Sequence, residues 1–358
     1  HAKAPSKVVL DANTQVDLNT LIAEDPERTL GQDVARQYGQ LPYLFKVLDV
    51  ANPLSIQVHP TKSQAETGFE RENKQGIPLD SPERNYKDKN HKPELMVALS
   101  DFWLLHGFLP EAQITHVLSH VQEFHVFREF FEHGGYAELY RHVMTLPQEE
   151  VDGILRPLAN RIRTQREVSQ LEPFSADYWM ARMVRDRGSS QYDRGMFSIY
   201  FFNLVHLSKG QAIFQDAGIP HAYLQGQNIE IMANSDNVLR GGLTEKHVDV
   251  SELLSTIRFE GVRPRVVEGT DTANPHEASY ESPVQDFRLS RIHLEGDAYT
   301  NSTHSTEIVL VMDGVAATES GRERLTLSRG QSIVTFGEST YRIWPLSEEA
   351  VLFRVAVP

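Results

Sequence analysis

The chain of 358 residues contains no cysteine, which excludes disulfides, thiolate nucleophiles and thiolate metal sites. It has no apolar run of about 18 residues, the length that marks a membrane-crossing helix. Its first residues, His1-Ala-Lys-Ala-Pro-Ser-Lys7, lack the apolar stretch of a secretory signal. Basic charge is also scarce: 35 Lys and Arg stand against 49 Asp and Glu, a formal net charge of −14. That balance disfavours nucleic acid and anionic membrane as partners. It leaves a small anionic ligand open, because a few cations in a pocket outweigh a surface field screened within about 8 Å. These absences predict a soluble, cytoplasmic protein. The 40% hydrophobic content is enough to fill cores, and the length predicts two or three domains.

What is present starts with Pro53-Leu-Ser-Ile-Gln-Val-His-Pro60. Read as a strand, it puts Leu54, Ile56 and Val58 on one face and Ser55, Gln57 and His59 on the other. A row of hydroxyl, amide and imidazole is wasteful in a core, where every polar group needs a partner. The alternation recurs at Lys92 and Glu94, at His221 and Tyr223, and at Asn228 and Glu230. Together these segments describe the lined interior of a barrel that holds a metal and a substrate. Gln57 and His59 lie two apart on one face, and Glu94 and His221 can complete four-fold coordination. Imidazole with oxygen donors suits zinc first, with copper, iron and nickel also open. On spacing alone, a hydrogen-bonded structural cluster stands beside the metal reading.

Along the chain, Tyr43–Leu48 and Leu95–Leu99 read as strands, and residues 61–93 as a short helix followed by an ordered loop. Ile114, Val117, Leu118, Val121 and Phe124 follow one helix face, and 138–144, 151–163 and 178–187 also read as helical. Gly188-Ser189-Ser190 ends this block. Strands resume at Ser198–Leu207, a short helix is predicted over 250–257, and residues 283–357 read as all-β. Ser208-Lys-Gly-Gln-Ala-Ile-Phe214 and Ser328-Arg-Gly-Gln-Ser-Ile-Val334 resemble one another, which predicts a second barrel related to the first and lacking its ligands. His116 and His120 have helical i, i+4 spacing without the glutamate of a His-Glu-x-x-His site. They read as flanking the apolar helix stripe, and His125, His133 and His142 read the same way. Glu149, Glu150 and Asp152 read as a helix start.

The segment Gly210 to His221, ending Gly-Ile-Pro-His, resembles the second metal motif of the cupin superfamily. With Pro53–Pro60, Asn85-Tyr-Lys-Asp88, Asn90-His-Lys-Pro-Glu94, Pro220-His-Ala-Tyr-Leu224 and Asn234-Ser-Asp-Asn-Val-Leu-Arg-Gly-Gly-Leu-Thr244, the chain resembles the type I mannose-6-phosphate isomerases. The resemblance implies a mainly β fold of cupin (jelly-roll type) barrels, one catalytic and one C-terminal, with an α-helical domain inserted. The expected divisions are 1–109 with 189–260 for the catalytic barrel, 110–188 for the helical insertion and 261–358 for the second barrel. It further implies one zinc ion per chain on Gln57, His59, Glu94 and His221, with Arg240 as the catalytic arginine, in a monomer acting on a sugar phosphate. The opening His1-Ala-Lys-Ala-Pro-Ser6 resembles a family segment that lies further into the protein, so the preceding strands are expected to be absent here.

Such an isomerisation moves a proton between neighbouring carbons and needs a cation to stabilise the enediolate. Glu230 is favoured over Lys92 as the proton carrier. Ser55, Lys92 and Lys62 are candidate phosphate donors, Tyr223 a partner for a sugar oxygen, and Asp236 a partner that orients Arg240. A non-catalytic sugar-phosphate-binding cupin and another metal-dependent cupin enzyme, such as an iron oxygenase, are the alternatives.

Overall fold

The computed structural model describes residues 5–10, 13–168, 171–187 and 191–358. Residues 1–4 of the opening segment and Gly188-Ser189-Ser190 lie outside them. The chain divides into two compact units, one of Val47–Ile229 with Ser235–Val266, the other of His1–Lys46, Glu230–Asn234 and Val267–Pro358. No helix among the described residues is long and apolar enough to cross a membrane.

In the first unit, strands alternate their faces between two cores. Ile56, Val58, Trp103, Leu105, Ala222 and Leu224 face outward into a core shared with the helices. Met96, Ala98, Phe102, Leu104, Val205, Ile213 and Tyr223 face each other in a second core. Strand Phe102–Phe108 pairs with both Phe202–Leu207 and His221–Ala233, and Glu94–Ala98 pairs with Ala212–Gln215, so the sheet curls into a nearly closed barrel. The helices Glu111–His120, Arg128–Thr145, Gln148–Val168 and Ala176–Arg187 cover its outer face.

Three local readings differ from the structure. Only Gln57–Val58 of the 53–60 segment forms ladder, although Leu54 and Ile56 donate backbone bonds to Tyr223 and Gly242. Leu54 stays 39% exposed while Ile56 and Val58 are fully buried. The predicted strand at 198–207 begins only at Phe202, since Ser198–Phe201 is a helical turn. All of Ser198–Phe201 is buried, and a run buried all round carries no period that separates strand from helix. Finally, the stripe running to Phe124 crosses a break, with Val121 extended and Phe124 in a 3-10 turn.

The loop after helix Lys62–Lys74 is ordered by a buried ion pair. Arg84 lies 2.9 Å from Glu72 and also donates to the carbonyls of Tyr86 and Ile77. Glu72 in turn accepts the backbone N–H groups of Asn85 and Tyr86. A capping box between Thr61 and Gln64 starts that helix directly after His59-Pro60.

In the second unit, an eight-stranded sheet is built on the long strands Glu307–Ser320 and Thr340–Ala356, with Arg288–Leu294 alongside. Ile292, Val309, Val311, Ile343 and Leu352 form its core. The two similar heptapeptides fold alike. Gln211 N–H donates to Ser208 O while its side chain accepts Ser208 N–H, and Gln331 repeats both bonds with Ser328. Gly210 and Gly330 take φ of 90° and 84° in the two turns, where any side chain would be strained.

Candidate metal centre

Strand register builds the site. Gln57 lies opposite both Arg240 and His221, and His106 lies opposite His221 on the other side. Directly opposed residues of an antiparallel pair share a face. Arg240, Gln57, His221 and His106 therefore form one row across four strands. Glu94 lies opposite Gln215 in the neighbouring pair.

His221 reaches this level through the Gly218-Ile219-Pro220 turn. Gly218 has φ of 77°, and a Cβ there would meet Arg258 at 2.8 Å, so the turn requires glycine. Its N–H donates to the carbonyl of His59, which ties the two histidine-bearing segments together.

Both imidazoles are oriented the same way. His59 Nδ1–H donates to the carbonyl of Asn237 and His221 Nδ1–H to that of Ile219, each at 3.0 Å. That fixes the tautomer and leaves each Nε2 a lone pair. Each Nε2 is buried without a hydrogen bond, and they lie 3.3 and 3.5 Å from the two oxygens of Glu94. A tetrahedral ion with bonds of about 2.05 Å sets its ligands about 3.3 Å apart. The nitrogen-to-oxygen separations of both imidazoles from Glu94 are thus close to those that a small divalent cation imposes.

The charges agree with this geometry. Burial alone would raise Glu94, but the Lys92 ammonium, at 3.2 Å, holds it well below the usual carboxylate range. Burial, reinforced by Lys92, pushes His59 down to about 4, so the ring is neutral and free to ligate near pH 7. Among the described residues one other trio of donors gathers, His293, Glu295 and Glu349, on an exposed surface. His116 and His120 instead stack on each other, and His120 bonds to the His116 carbonyl.

The other candidates have definite places. Arg240 is half-buried with its Nε hydrogen-bonded to nothing, and burial lowers its pKa. Lys92 is buried against Glu94. Lys62 begins its helix and donates to Asn90. Tyr223 lies in the barrel's apolar core, edge-on to Phe102. The Asp236 N–H donates to Asp88. Ser55 is half-buried just before the short strand. Glu230 belongs to the second unit, where Lys46 pairs with it at 2.9 Å.

Three participants escaped the sequence reading. Asn237 is fully buried, clasps Lys87, Asp88 and Asn90 with its side chain, and presents its carbonyl to His59. It lies within the Asn234–Thr244 motif, but a backbone carbonyl leaves no residue-type signal. His106 and Gln215 are buried and bonded to each other at 2.7 Å; His106 interrupts an apolar strand and Gln215 ends one. A polar residue inside or at the end of an apolar run was the available signal.

A family model described as the catalytic domain of type I phosphomannose isomerase matches residues 1–111. The mannose-6-phosphate isomerase of Escherichia coli (strain K12) is 38% identical over 336 residues, which cover 93% of this chain and 83% of that protein. That of Homo sapiens is 32% identical over 355 residues, covering 92% and 80%. Among solved structures, a lysine-to-alanine mutant of phosphomannose isomerase from Salmonella typhimurium superposes with a TM-score of 0.88 at 34% identity, covering 100% of this chain and 89% of that one. A zinc-bound mannose 6-phosphate isomerase superposes at 0.87 with 35% identity and the same coverage.

Proposed function

The chain belongs to the type I phosphomannose isomerases, and from that premise we propose that it interconverts mannose 6-phosphate and fructose 6-phosphate with one zinc ion held by His59, Glu94, His221 and Gln57. The observation that carries this reading is the pair of buried, carbonyl-oriented imidazoles whose Nε2 atoms converge on Glu94 without a hydrogen bond. When bound, zinc supplies a Lewis acid that polarises and orients sugar oxygens.

The remaining chemistry belongs to the chain. Isomerisation removes the proton from C2 of the aldose and returns one to C1, through an enediolate whose charge must be stabilised. Arg240 stays protonated despite its burial and offers a planar set of donors to two adjacent oxygens. Lys92 keeps Glu94 ionised as a metal donor. Glu230 is the proposed proton carrier, buried and paired with Lys46, and Lys92 is the alternative. Ser55, Lys62 and Lys92 are the proposed phosphate donors, Tyr223 contacts a sugar hydroxyl, and Asp236 orients Arg240.

The test is a coupled assay on mannose 6-phosphate with chelated protein and then with zinc restored. Zinc-dependent formation of fructose 6-phosphate is expected. No turnover with zinc demonstrably bound would contradict the proposal. Glu230→Gln that keeps its zinc and near-normal turnover would remove that residue from the mechanism.

A further inference from the structure

His106 and Gln215 lie at one level of the barrel, each opposite a metal donor. His106 is the cross-strand partner of His221, and Gln215 that of Glu94. The His106 Nδ1 to Gln215 Oε1 bond of 2.7 Å closes an arc that runs from Arg240 through Gln57, His221, His106 and Gln215 to Glu94. The next residues of these strands on the same face, Leu104, Ile213 and Met96, are apolar and packed together. Tyr223, two residues beyond His221 and opposite Leu104, packs with them. Gln215 is completely buried and its Nε2 finds no hydrogen-bond partner, a cost that a purely structural pair has no reason to carry.

We propose that His106 and Gln215 are positioning residues whose hydrogen bond sets the separation of His221 and Glu94, and with it the affinity and geometry of the metal centre. The proposal rests on the reading of those donors as a zinc site. The bond joins the strand beside His221 to the strand beside Glu94, so its loss lets the two donors drift apart. Groups that orient ligands in this way typically control metal affinity by about 10- to 100-fold.

The test compares wild type with His106→Phe, Gln215→Leu and His106→Asn, each chelated and then titrated with zinc and, separately, with Co²⁺. The two apolar variants are expected to bind zinc about 10- to 100-fold more weakly and to shift the visible absorption bands of bound Co²⁺. His106→Asn, whose amide nitrogen overlays the imidazole Nδ1, is expected to restore both. The proposal is overturned by unchanged zinc affinity with an unchanged cobalt spectrum. It is equally overturned if the apolar variants lower the melting temperature of chelated protein while the folded fraction keeps wild-type metal properties, since that marks a purely structural pair. A wild-type protein that takes up neither metal would overturn the underlying zinc reading, and the proposal with it, before any variant is compared.

Discussion

Two buried clusters of charge in this molecule are built to opposite ends. In the first unit, His59 and His221 spend their Nδ1 atoms on backbone carbonyls and leave Nε2 facing Glu94. In the second, Arg354 lies between Glu277 and Glu307, 2.7 Å from each. Tyr299 donates to the other oxygen of Glu277, and Tyr341 and Asn301 donate to Glu307. Burial raises the Glu307 pKa against the pull of Arg354, and the cluster supplies its own counter-charge and donors. The first cluster is completed by a cation from outside, while the second is already complete. Two sheets that share a Gly-Gln turn therefore differ in chemistry by the partners of a few buried atoms.

The largest effect expected from breaking this contrast is on the metal side. His221→Ala should lose zinc, measured by metal analysis, and lower kcat/KM by on the order of a thousandfold. Arg354→Ala should leave the turnover of folded protein unchanged.

Stability should show the reverse. Arg354→Ala strands two buried carboxylates and should cost about 3–5 kcal/mol, read by hydrogen exchange in Arg288–Leu294 and Thr340–Ala356. Replacing Arg354, Glu277 and Glu307 together by apolar residues should recover most of that loss. A neutral Arg354→Ala would dissolve the distinction between the clusters.

Acid provides a third and smaller contrast, in chelated protein. Burial pushes His106 down to about 4, against an ordinary value near 6.5. Below 6.5 the unfolded chain binds a proton that the folded ring refuses. Its contribution of about 3 kcal/mol, present above 6.5, is therefore lost as pH falls toward 4. His59 acts in the same direction. Glu307 has the opposite sign: its folded pKa is raised, so its contribution is present at low pH and declines as pH rises through that pKa. Hydrogen exchange between pH 7 and 4 should show Phe102–Phe108 and His221–Ala233 loosening first. Uniform loosening of both units would blur the contrast.

Much of the first cluster was legible because period-two alternation exposes Gln57 and His59, and because Gly218-Ile-Pro-His221 demands a particular turn. The repeated turn was legible for the same reason, since Gly and Gln recur at matched positions. What sequence withheld was register. Nothing in the residue order says that Arg240 faces Gln57, or that His106 faces His221 and bonds Gln215. Glu277 and Arg354 lie far apart in sequence with no spacing to mark them, and they meet only through the pairing of strands. The helical turn Ser198–Phe201 was hidden by burial on every side.

The most direct test of the account is anomalous diffraction from crystals of zinc-loaded protein. A single peak is predicted, about 2.0–2.1 Å from Nε2 of both His59 and His221 and bonded to Glu94, with none in the Arg354 cluster. A peak among His293, Glu295 and Glu349 instead, with the Nε2 atoms of His59 and His221 uncoordinated, would contradict it.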